Sequence, residues 1–109
     1  MNSAIPIDHL IYRELQHGQR LRREASALSV TQLAEKFEVS KFQIEQIING
    51  RPHKDPETNR LILECYEEAQ QLWAEFDRYT RGAIAERYGR TRNDVKHIAK
   101  QLENTEVAA

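Results

Sequence analysis

The sequence holds a single cysteine, Cys65, which excludes an internal disulfide and a cysteine-based zinc site. No apolar run approaches the roughly 18–20 residues that a membrane-spanning helix needs, so no membrane partner is expected. The first residues carry no secretory apolar region, and with so little cysteine the expected location is the cytoplasm. Charge of one sign is also lacking. Sixteen Lys and Arg face 17 Asp and Glu, for a formal net charge of -1. That balance excludes a histone-like or polybasic protein. It leaves a nucleic-acid binder open, because charge can be segregated along a chain. The four histidines, His9, His17, His53 and His97, show neither HxxxH nor HxH spacing, so no metal is expected. No glycine-rich loop precedes a basic helix, so no nucleotide or other cofactor is expected. The acids have no partner nucleophile, and Cys65 sits among apolar residues, which argues against an enzyme.

What is present is a repeat. Sliding the 109-residue chain by 51 positions aligns residues 10–50 with 61–101 without a gap. Identities fall at Leu10/Leu61, Ile11/Ile62, Gln19/Gln70, Leu21/Leu72, Glu24/Glu75, Ala34/Ala85, Glu35/Glu86 and Ile47/Ile98. Similar pairs include Ser29/Thr80, Leu33/Ile84, Lys36/Arg87, Phe37/Tyr88, Ser40/Thr91, Lys41/Arg92 and Ile44/Val95. The implied organisation is a first unit at 1–54, a second at 55–102 and a flexible, frayed tail at 103–109.

Both halves read as helical, and no stretch alternates with period two, so no sheet is expected. The second half opens with Asp55-Pro56-Glu57: a cap, a proline at the first helical position and an acid in the first turn. Leu61, Ile62, Cys65, Tyr66, Ala69, Leu72, Trp73 and Phe76 then form one apolar stripe on a helix of about 20 residues. That stripe is wide enough for a core and a dimer seam, which points to a homodimer. The first half has a blurrier counterpart, capped by Asp8 and carrying Leu10, Ile11, Leu15, Leu21, Ala25 and Leu28, with Gly18 as a bend or break. Two short helices follow each long one. Ser29-x-x-Gln32 and Ser40-x-x-Gln43 are capping-box patterns, matched by Thr80 and Thr91, and Asn49-Gly50 is a helix stop.

The spacing inside each pair of short helices has a geometric reading. Ala34 and Ala85 are small enough for the second short helix to cross the first closely. A turn residue follows four positions later, Glu38 in one copy and Gly89 in the other. Ile44/Val95 and Ile47/Ile98 then pin the second short helix to the long helix of its own half. Leu33–Gly50 and its copy starting at Ile84 resemble a helix-turn-helix, and with the long helix added they resemble the three-helix, homeodomain-like units of phage and mobile-element regulators. The resemblance covers about 20 residues in each copy. It implies an all-α protein with two tandem three-helix units, each with a long first helix, binding double-stranded DNA. Gly89 matches the family's turn glycine. Glu38 departs from it, and a left-handed glutamate costs ~1 kcal/mol.

In that reading the outer faces of the second short helices meet DNA. In the first unit these are Ser40, Lys41, Phe42, Gln43, Gln46 and Asn49, followed by Arg51 and Lys54. Gln and Asn can pair bidentately with adenine, Lys can reach guanine, and Phe can touch a thymine methyl. Arg51, His53 and Lys54 suit phosphates, while Glu45 reads as a solvated acid. In the second unit they are Arg81, Arg90, Thr91, Arg92, Asn93, Lys96, His97 and Lys100. Arg92 and Asn93 suit bases; Arg90, Lys96 and Lys100 suit phosphates, with Arg78, Arg81 and Arg87 nearby. Residues 64–77 hold five acids and no base, whereas 78–100 hold seven bases and two acids. The near-zero net charge therefore conceals an acidic helix followed by a basic one. The expected function is transcriptional regulation, as a repressor. The alternatives are a protein-interaction module with another regulatory protein as partner, or the DNA-targeting part of a transposition or excision complex.

Overall fold

The computed structural model describes residues 5–108, and the side chains of residues 5–104. Among these residues every regular element is helical: α1 (Ile7–Ser26), α2 (Val30–Lys36), α3 (Lys41–Ile48), α4 (Pro56–Phe76), a 3-10 turn (Asp77–Tyr79), α5 (Arg81–Tyr88) and α6 (Arg92–Ala108). Among the described residues no helix is long and apolar enough to cross a membrane.

The starts of the helices follow from side-chain acceptors placed against the orphan N–H groups of the first turn. Ser29 Oγ accepts from Gln32 N–H (3.3 Å) ahead of α2. Ser40 and Gln43 satisfy one another's backbone N–H at 3.1 Å each, a two-way box ahead of α3. Asp55 accepts from the Thr58 hydroxyl (2.6 Å) and Thr58 N–H (3.3 Å) ahead of α4, and these bonds hold its carboxyl below the usual carboxylate range. Thr80 accepts from Ala83 N–H (3.2 Å) ahead of α5. α1 differs from expectation. The Pro6 carbonyl accepts from His9 and Leu10 N–H, so Asp8 lies inside the first turn rather than at the cap.

Gly18 does not break α1, which is continuous over 20 residues. The glycine instead permits a close approach: a Cβ there would lie 2.8 Å from Tyr79 Cβ and 2.9 Å from the Tyr79 carbonyl oxygen. The last helix extends into the tail. Residues 103–108 continue α6, and Ala109 lies outside the described residues. No Gly or Pro stands between 101 and 108 to stop the helix, and Leu102 packs against the core.

Two compact units form, and they do not coincide with the two repeats. One comprises Met1–Arg20 with Glu75–Ala109, the other Leu21–Ala74. In the first, Ile11 and Leu15 of α1 are buried with Ile84 and Ala85 of α5 and Val95 and Ile98 of α6. In the second, Ile62 of α4 is buried with Leu33 and Ala34 of α2 and Ile44 and Ile47 of α3. The apolar pins expected at Ile44/Val95 and Ile47/Ile98 are therefore buried against a long helix, but it is the long helix of the other repeat. Ile11 and Ile62, the matched positions, are each fully buried in the opposite copy's core. The boundary expected at 54/55 consequently runs through the middle of one compact unit. The apolar stripe on α4 is only partly used: Ile62 and Ala69 are buried, while Trp73 remains 37% exposed.

Candidate nucleic-acid interface

The two short-helix pairs are joined by the same backbone motif. After α2, Glu38 N–H donates to the Glu35 carbonyl (3.3 Å) and Val39 N–H to the Ala34 carbonyl (3.0 Å). After α5, Gly89 N–H donates to Glu86 (3.3 Å) and Arg90 N–H to Ala85 (2.8 Å). This is the Schellman pattern, which needs one left-handed residue. Glu38 supplies it at φ 53° and Gly89 at φ 64°. The capping side chains Ser40 and Thr91 follow two residues later and start α3 and α6. Gly50, at φ 97°, ends α3 with the same pair of bonds.

With Ile44 and Ile47 turned into the core, α3 presents Lys41, Phe42, Gln43 and Glu45 to solvent, with Gln46 half-buried and Asn49 exposed at its cap. Phe42 is 65% exposed, the most exposed large apolar side chain among the described residues. Ser40, Arg51 and Lys54 are exposed. Two of these positions also carry structural duties, the first of them the one that the Ser40-x-x-Gln43 spacing implies. Gln43 gives its side-chain oxygen to Ser40 N–H, which leaves its NH2 as its outward donor. Half-buried His53 is fixed within its loop rather than hanging from a free linker.

With Val95 and Ile98 buried, the first turns of α6 present Arg92, Asn93, Lys96, His97 and Lys100, and the preceding turn presents Arg90 and Thr91. Arg81 is exposed at the start of α5. Thr91 and Asp94 form a second two-way box, at 3.0 and 3.1 Å, and hydrogen bonds from the Thr91 N–H and hydroxyl hold the Asp94 carboxyl below its usual range. The Thr91-x-x-Asp94 spacing is visible in the sequence and is the signal for this box. Arg92 lies over Gly82: a Cβ there would sit 2.9 Å from both its Nε and Nη2. Arg87, expected near a DNA backbone, is held elsewhere. It donates to Glu14 and to the Arg78 carbonyl (2.9 Å), and its guanidinium stands 5.8 Å from the Tyr79 ring centre. Glu14 also accepts from the Tyr88 hydroxyl, which raises that hydroxyl's pKa.

Among the described residues, no group of three or more His, Cys, Asp or Glu is placed to hold a metal ion. Half-buried Cys65 packs beside the core of the 21–74 unit. No known family, curated protein or solved structure matches this chain.

Proposed function

We propose that this chain is a sequence-specific double-stranded DNA-binding regulator, acting as a repressor, in which the two short-helix pairs are helix-turn-helix motifs. The observation that carries this reading is the doubled turn. Two segments 51 residues apart share the left-handed residue, the two carbonyl acceptors and the capped second helix, and each leaves one face of that helix in solvent. In the proposed mechanism α3 and the first turns of α6 enter major grooves. Gln46, Asn49, Arg92 and Asn93 meet base edges there, while Arg51, Lys54, Arg90, Lys96 and Lys100 meet phosphates. A homodimer would double the site, and α4, with Leu63 and Trp73 partly exposed, is the seam it would use.

The test is a gel shift with Arg92→Ala together with Asn93→Ala. Each lost base contact is worth about 1–3 kcal/mol, so the double variant should bind its site at least tenfold more weakly. Unchanged binding would remove α6 from the reading. Affinity should also fall steeply with salt.

A second reading, a module that binds another regulatory protein, rests on the exposed Phe42 ring beside Glu45 on α3. Failure to bind random duplex DNA at low salt would favour it. A targeting role in transposition or excision shares the DNA chemistry and differs in its partners.

A further inference from the structure

The connection from α3 to α4 encloses a half-open pocket of about 250 Å³ lined by Gln43, Gln46, Ile47, Arg51, His53 and Lys54. The loop that forms it is pinned along its backbone. Gly50 N–H donates to Ile47 (3.1 Å), Arg51 N–H to Gln46 (2.8 Å), and His53 N–H to the Asn59 side-chain oxygen (2.8 Å). The backbone of the pocket is therefore held by the chain's own bonds.

Its side chains are also sorted by hydrogen-bonding type. Gln43 spends its oxygen on Ser40 N–H, so its NH2 remains. His53 Nδ1 accepts from Asp55 N–H (3.0 Å), so the neutral ring carries its proton on Nε2. Arg51 and Lys54 offer only donors and positive charge. The neighbouring acid, Asp55, is turned to the start of α4, where Thr58 holds its carboxylate. The lining contains no carboxylate.

We propose that this pocket binds a phosphate group. A cationic, donor-rich concavity matches an oxyanion with several acceptor oxygens, and a guanidinium beside an ammonium is the pairing that phosphate favours. The phosphate comes either from a nucleic-acid backbone or from a free phosphorylated small molecule. The chemistry is shared, and the pocket does not depend on the chain reading DNA.

The experiment is a titration of the full chain with inorganic phosphate, followed by backbone amide NMR at ionic strength held constant with sodium chloride. Saturable shifts confined to residues 43–55, with a dissociation constant on the order of 1 mM, are expected. The variant Arg51→Gln with Lys54→Gln leaves the backbone bonds of the loop in place. It should weaken phosphate binding by at least about tenfold with unchanged helical circular dichroism. Shifts that never saturate, that chloride reproduces, or that survive in the double variant mean an adventitious ion only and overturn the proposal. Given saturable binding, displacement of phosphate by a duplex assigns the pocket to a nucleic-acid backbone. Phosphate binding that persists with duplex added, whether or not the duplex binds, assigns it to a free phosphorylated molecule.

Discussion

The two copies of the short-helix pair share a backbone and differ in what surrounds it. Around α5, Glu14 of α1 takes Arg87 and Tyr88 into a polar cluster. At the matched positions around α2 stand Cys65, Lys36 and Phe37, where Cys65 and Phe37 pack beside the core and the Lys36 ammonium lies 5.6 Å from the Phe37 ring centre. The left-handed residue is a strained glutamate in one copy and a glycine in the other. The residue after it is apolar Val39, packed inward, in the first and exposed Arg90 in the second. What the copies share is what fixes the turn: two carbonyl acceptors, a small residue and two apolar pins. What differs is free to set charge, and the second copy has become the basic one. The same comparison supports the exchange of long helices, because Glu14 and Cys65 each complement the copy against which they are packed.

The exchange is open to the largest test. Ile11→Ala should cost about 2–5 kcal/mol and lower hydrogen-exchange protection in α5 and α6 first. Ile62→Ala should do the same in α2 and α3. Loss of protection in the same repeat as the mutation would break the comparison. Gly18→Ala comes next. Its matched residue is already alanine, Ala69, which lines a small cavity with Leu28, whereas Gly18 meets the Tyr79 backbone. The variant should therefore destabilise by about 1–3 kcal/mol in chemical denaturation, outweighing its better helix propensity. A gain in stability would show that Tyr79 can retreat.

The turns give smaller effects. Glu38→Gly should stabilise by up to about 1 kcal/mol, since relief of the left-handed penalty exceeds the added chain entropy. A loss would mean that the Glu38 side chain contributes something the turn geometry does not reveal. The smallest effect separates the two capping boxes. Asp94 has a folded pKa below its usual 3.8, so its contribution is present above that value and fades as pH falls through the lowered folded value. Amide protection at the start of α6 should drop in acid, while the start of α3, whose box uses Ser40 and Gln43, should lack this transition. Equal acid sensitivity at both starts would contradict the assignment.

The local features were legible because they depend on short spacings. Ser40-x-x-Gln43, Asp55-Pro56, Ala34/Ala85 and the buried pins are each written within a few residues of the structure they cause. The partner of each long helix was not, since Ile11 and Ile62 are the same residue at the same repeat position and fit either core. Glu14 and Arg87 lie 73 residues apart, so their pairing leaves no local trace. Gly18 read as a weak point because the requirement it meets, the nearness of Tyr79, is tertiary. Of the candidate interface, exposure was readable from periodicity. The resting place of Arg92 over Gly82 was not, because that contact joins two different helices.

The most direct measurement is selection of bound sites by the full chain from random duplex DNA at low salt, with folding confirmed by circular dichroism. The doubled turn predicts an enriched sequence with two half-sites, one for α3 and one for α6. A folded chain that enriches no sequence would contradict the reading of these two helices as DNA-contacting elements.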